Sequence, residues 1–162
     1  MEQDFLKEIG PAGLHSRLKR LSDDILYSTR DYYKSLELDI EPNWILVFLL
    51  LEKNGTTTIT EISQYLAMSH PACVKIINAM KKRGYVLASI DQNDSRKQQL
   101  ELSDKSLELF PFFQKHWEAG IKTTQDLLED SPHFLEDLAA FEAKIKEGSY
   151  KDRTLGNLKV KP

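Results

Sequence analysis

The sequence predicts a mainly α-helical fold with one small β-hairpin, and three patterns in its 162 residues carry that prediction. Long stretches near both ends repeat apolar residues at helical intervals. Two short helical segments in the middle are separated by a tight connection. Directly after them, two segments of alternating character flank a polar tip. A chain of this length has the size of one domain, so residues 1–162 are expected to form a single unit: a winged helix-turn-helix at about 40–102, flanked by helices at about 11–36 and 103–147.

The elements follow in order. Leu14, Leu18, Leu21, Ile25, Tyr32 and Leu36 recur with charges between them, which makes 14–36 a long amphipathic helix. Pro42 suits a first helical turn, and the apolar run Trp44 to Leu51 continues until Asn54-Gly55 stops it, so this helix belongs in the core. The β-branched run Thr56-Thr57-Thr58-Ile59 reads as a short strand, after which Thr60 caps a brief helix over Glu61 to Leu66. Ala67-Met68-Ser69 is the connection, and a second helix runs from about His70 to Arg83. Gly84 closes it in the left-handed conformation common just past a helix C-terminus. Tyr85 to Ile90 and Lys97 to Leu102 form the hairpin, with Gln98, Leu100 and Leu102 on one face. Ser103 and Asp104 open a helix that runs to about Glu129 with a kink expected at Pro111, and Ser131-Pro132 ends it. Phe134, Leu138, Phe141 and Ile145 mark a last amphipathic helix, while the tail from Gly148 has no periodicity that assigns it.

Composition narrows the class. Apolar residues at 41% and charged ones at 29% are ordinary for a chain that folds. The longest strongly apolar run has eight residues, Trp44 to Leu51, against the ~20 that a membrane-spanning helix needs. Glu2, Asp4 and Glu8 interrupt the start, so neither a secretory signal nor a membrane partner is expected, and the cytoplasm is the expected compartment. Cys73 stands alone and the four histidines are scattered, which leaves no metal-ligand spacing and no internal disulfide. No phosphate loop, nucleophile elbow or H-E-x-x-H pair is present, so neither catalysis nor a cofactor is expected.

The net charge of -3 conceals an asymmetry. From His70 to Leu100 there are six basic residues (Lys75, Lys81, Lys82, Arg83, Arg96, Lys97) and two acidic ones (Asp91, Asp94), a local +4 that leaves -7 elsewhere. An acidic body with one basic strip suits presentation of that strip to an anion. On a helical projection Cys73, Ile76, Ile77 and Met80 share one face of the second short helix, and Pro71, Lys75, Asn78 and Lys82 the other. One face reads as core and the other as free. A free helix face fits the B-form major groove, where asparagine pairs with adenine and lysine reaches guanine or phosphate. The expected DNA contacts on the helix are Ser69, His70, Pro71, Ala72, Lys75, Asn78 and Lys82, since recognition helices lead with their N-terminal residues. From the hairpin, Arg96 suits the narrow minor groove and Lys97 a phosphate.

These residues resemble the MarR family of winged-helix transcriptional regulators over roughly Leu14 to Ile145. The resemblance lies in the order of elements, in the segment Ser69-His70-Pro71-Ala72-Cys73-Val74-Lys75 through Gly84-Tyr85-Val86, and in Asp91-Gln92-Asn93-Asp94-Ser95-Arg96, which is similar to the family's wing pattern Asp-x-Arg-Asp-x-Arg. Asn93 departs from that pattern at its first arginine. Ser69-His70-Pro71 together with Trp44 is most similar to the subgroup whose module precedes an acetyltransferase domain. The ~15 residues after the last helix are too few for such a domain, so a free-standing regulator is expected.

The resemblance implies a homodimer whose terminal helices interlock and whose two recognition helices, about 70–83, meet a pseudo-palindromic double-stranded DNA site, with the wings, about 86–102, beside them. It also implies a small-molecule effector cleft, for which His15, Tyr27, Trp44 and Phe48 are the candidates. Aromatics at helical spacing are more often core than cleft lining. Cys73 falls on the core face and reads as inert packing. The alternative function is a winged-helix module that binds another protein and not DNA, because fold does not dictate function. The basic strip is what separates the two.

Overall fold

The computed structural model describes residues 4–90 and 98–159, and its contacts divide the chain into two units, Met1–Pro111 and Phe112–Pro162. The first begins with a short helix, α1 (Phe5–Glu8), capped by the Asp4 carboxylate, which accepts the Leu6 amide at 3.2 Å. A 3-10 turn over Gly10–Gly13 leads into the long helix α2 (Leu14–Ser35). A Cβ at Gly13 would lie 2.1 Å from the Leu6 carbonyl oxygen, so only glycine lets the two segments approach this closely. Arg20 on α2 reaches back to Asp4 at 2.6 Å and holds that carboxyl below its ordinary pKa. Sequence periodicity had offered no element before Leu14, because four residues are too few to show a period.

A second 3-10 turn, Pro42–Trp44, starts α3 (Ile45–Asn54), which ends at Gly55 with φ of +74°. Val47, Phe48 and Leu51 on α3 are buried, whereas Leu46 and Leu49 are exposed, so only one face of this apolar helix enters the core of the subunit. The next helix, α4 (Ile59–Tyr65), starts two residues earlier than the sequence suggested. Thr58, not Thr60, is its cap. The Thr58 hydroxyl accepts the Glu61 amide at 3.2 Å while the Glu61 carboxylate accepts the Thr58 amide at 2.8 Å, a reciprocal pairing that satisfies two helix-end donors at once. The run Thr56 to Ile59 is accordingly no strand. Only Thr57 pairs, in a single antiparallel bridge with Leu100.

Helix α5 (His70–Lys82) follows a turn in which Ala67 takes a positive φ. It ends on Gly84 (φ of +75°), where the Tyr85 amide bonds to the Met80 carbonyl and the Gly84 amide to Lys81, both at 3.0 Å. The chain then enters β1 (Val86–Ile90), which pairs antiparallel with β2 (Gln98–Leu102) in the register Val86 to Leu102 and Ile90 to Gln98. The predicted alternation holds at the base, where Leu100 and Leu102 are buried. Gln98, further out, is exposed. In the core α4 and β1 lie against α5, and α3 against β2. Trp44 and Phe48 meet the Tyr85 ring edge-on at 5.9 and 5.6 Å.

The last long helix, α6 (Asp104–Leu127), starts on Ser103, whose hydroxyl accepts the Ser106 amide at 3.2 Å and donates to the Gly84 carbonyl at 2.7 Å. Ser106 is fully buried and donates to the Tyr85 carbonyl at 2.6 Å. The Ser103 hydroxyl thus pairs the Gly84 carbonyl, and the Ser106 hydroxyl is a second donor to the Tyr85 carbonyl, which also accepts the Ser103 amide at 3.1 Å. Helical assignment is unbroken through Pro111.

The second unit holds the rest of α6, then α7 (Phe134–Glu147) and α8 (Tyr150–Lys159). Helix α8 occupies the tail that periodicity left unassigned. The signal was local: the Ser149 hydroxyl accepts the Asp152 amide at 3.1 Å, and Arg153 donates to the Lys144 and Gly148 carbonyls at 2.6 and 3.0 Å, covering the open end of α7.

Candidate nucleic-acid interface

Helix α5 is divided along its length. Cys73, Ile77 and Met80 are at most 1% exposed and Ile76 is buried, whereas His70, Pro71, Lys75, Asn78 and Lys82 face solvent. Ala72 is half-buried, between the two faces. Ser69 is exposed but already engaged as the N-cap, accepting the Ala72 amide at 3.4 Å. Among the described residues Lys75, Asn78 and Lys82 make no side-chain hydrogen bond or ion pair. No aspartate or glutamate occurs between Ile62 and Ile90 to neutralise them. The arrangement is therefore a rigid rod, locked inward by four apolar side chains, that offers free donors outward.

The other half of the predicted interface is the hairpin. Strand β1 lies beside α5 and pairs with β2, but Arg96 and Lys97, together with the pattern Asp91 to Arg96, lie outside the described residues.

Sequence reasoning missed the device at the far end of α5. Arg83, the C-cap, donates to the Asp39 carbonyl, lies over the Trp44 ring at 5.0 Å and stands 3.9 Å from Glu41. Glu41 also accepts from Arg30 on α2 at 3.1 Å. Lys105 on α6 donates to the Arg83 carbonyl at 2.9 Å and stacks its ammonium 3.8 Å from the Tyr85 ring centroid. The Tyr85 hydroxyl donates to the Asp39 carboxylate, and burial, reinforced by that carboxylate, pushes the phenol far above its usual pKa. Partners 11 to 46 positions apart leave no local pattern to read.

The four effector-cleft candidates do not converge within the subunit. Trp44 and Phe48, at 2% and 0% exposure, are spent on the Tyr85 ring, while His15 and Tyr27 are exposed on α2. The cavity that His15 does line is an open surface depression of about 360 Å³ walled by Ser16, Lys19, Arg20, Asp23 and Asp24. Aromatic spacing along a helix reported core packing here. Cys73 is buried, and desolvation raises its thiol pKa. No cluster of three or more potential metal ligands occurs among the described residues, nor is any of their helices long and apolar enough to cross a membrane.

Two short helices at a tight turn, the second exposing a basic face and followed by an antiparallel hairpin, define a winged helix-turn-helix. Residues 38–97, a little more than a third of the chain, match the model of the MarR family. No curated protein matches the sequence significantly. Solved structures do match the fold. The chain is similar to the transcriptional repressor CouR bound to a 23-mer DNA duplex at 24% identity and a TM-score of 0.65, over 80% of this chain and 92% of that one. It is similar to the S. aureus MepR–DNA complex at 13% identity and a TM-score of 0.70, over 80% and 96%. A cysteine-to-serine mutant of E. coli MarR complexed with operator DNA aligns at 19% identity and a TM-score of 0.63, over 90% and 98%.

Proposed function

We propose that this chain is a cytoplasmic, non-enzymatic transcriptional regulator that binds double-stranded DNA as a homodimer. Helix α5 enters the major groove and the hairpin the minor groove of each half of a pseudo-palindromic site. The observation that carries the reading is the outward face of α5, where Lys75, Asn78 and Lys82 are exposed and unpaired among the described residues. Similarity to CouR, MepR and MarR structures solved with DNA supports it. Ser69, His70, Pro71 and Ala72 approach the duplex with the start of the helix, and Arg96 and Lys97 with the wing.

Residues 40–102 form the DNA-binding lobe of one regulatory domain, and 11–36 and 103–147 supply the pairing helices. Pairing is supported by exposed apolar stripes that a lone subunit leaves in water: Leu14, Leu18, Leu21 and Ile25 on α2, and Phe134, Leu135, Phe141 and Ile145 on α7. A two-fold pair presents half-sites about one duplex turn, roughly 34 Å, apart.

Selection of bound sequences from random duplexes tests DNA binding, palindromy and spacing together. On the selected site, Lys75→Ala or Asn78→Ala costs ~1 to 3 kcal/mol and relaxes base preference if the residue reads a base, or weakens all sequences evenly if it holds phosphate. Log affinity falls with log salt as counterions are released. Failure to enrich any sequence, with retention of a salt-insensitive protein partner, would replace this reading with a protein-binding module.

A further inference from the structure

We infer that Glu41 is a positioning residue for the recognition helix: its carboxylate joins Arg30 on α2 to Arg83 at the end of α5, and so sets the angle at which α5 is held. The inference deepens the DNA-binding reading and rests on it for its functional consequence.

The geometry is that of one acid shared by two guanidiniums. One Glu41 oxygen accepts from Arg30 at 3.1 Å and the other faces Arg83 at 3.9 Å. Side chains of all three are between 34% and 39% exposed, so the charges are only partly screened. Arg83 is itself confined by the Trp44 ring and the Asp39 carbonyl, and Lys105 holds its backbone carbonyl. The inner face of α5 fixes how deep the helix sits, through Ile76, Ile77 and Met80. Apolar contact is non-directional, however, and leaves the helix free to swing about that face. Directed contacts at one end remove that freedom, and Glu41 is the link in them that reaches α2. A shift of the last turns of α2 then reaches the end of α5 through the Glu41 carboxylate.

Electrostatics alone predicts the opposite sign for its removal, which makes the idea sharp. Deleting a negative charge near a DNA-binding surface raises affinity for a polyanion. A positioning role predicts a fall. The experiment uses the full chain and the duplex selected above. We expect Glu41→Gln to lower affinity about tenfold, the scale of coupling between contacting groups, with the slope against salt unchanged because no phosphate contact is lost. Arg30→Gln lowers it in the same direction. In an Arg83→Gln background, where the link is already cut, Glu41→Gln no longer weakens binding. Hydrogen exchange gives a readout that needs no DNA: the amides of Arg83, Gly84 and Tyr85 exchange several-fold faster in Glu41→Gln.

Unchanged or tighter binding by Glu41→Gln, with unchanged exchange at those amides, overturns the inference. If the wild-type chain binds no duplex, the regulatory reading falls instead, and the exchange rates alone decide whether Glu41 holds the helix.

Discussion

Replacing Ile77 with alanine tests the division of α5 into a locked face and a free one. Ile77 is fully buried, and its neighbours Cys73 and Met80 on the same face are at most 1% exposed, so the side chain has no path to solvent. The change deletes three carbons, a transfer loss of ~2.4 kcal/mol at ~0.8 per buried methylene. If about 40 Å³ of the vacated space stays open, ~24 cal/mol per Å³ adds ~1 kcal/mol. The total, ~3 to 4 kcal/mol, is a large part of the ~5 to 15 kcal/mol that holds a domain together. For a chain of this size it lowers Tm by roughly 7–15 °C. Urea melts followed by circular dichroism, at one fixed protein concentration so that any self-association weighs equally on each variant, measure it. Lys75→Ala, two positions away on the exposed face, is the control and stays within ~0.5 kcal/mol. A loss below ~1 kcal/mol at Ile77, or an equal loss at Lys75, would show that α5 does not present the face assigned to it.

Other outcomes follow from single contacts. Thr58→Ala removes the hydroxyl that accepts the Glu61 amide, and should cost ~1 kcal/mol in the same melts, whereas Thr60→Ala should cost far less because Thr60 caps nothing. Equal effects at the two positions would reinstate the later helix start. Cys73 should resist alkylation in the native protein at pH 8, since burial raises its thiol pKa and depletes the reactive thiolate. Labelling should rise only with denaturant. Rapid stoichiometric modification of the folded chain would place the thiol in an open environment and refute inert packing.

What was legible in the residues and what was not divides along a physical line. Helices α2, α3, α5 and the hairpin could be read because their signals are local: apolar spacing, alternating faces along a strand, and Gly55 and Gly84 at the stops. The outward face of α5 could be read for the same reason, since rotation about one helix is arithmetic on neighbouring positions. Helix α4 slipped by two residues because Thr58 and Thr60 each offer a capping hydroxyl, and only the Glu61 carboxylate selects Thr58. Helix α8 escaped because capping by Ser149 and Arg153, not an apolar stripe, defines it.

By itself, then, the order of residues determined the kind of elements, their sequence and the basic edge they present. Only the tertiary structure decided that Trp44 and Phe48 are consumed by Tyr85, and that Asp39, Glu41, Arg83 and Lys105 assemble into one network. Helical and strand periods repeat within a few residues, whereas these contacts join positions tens of residues apart, and the chain's path through space alone brings them together.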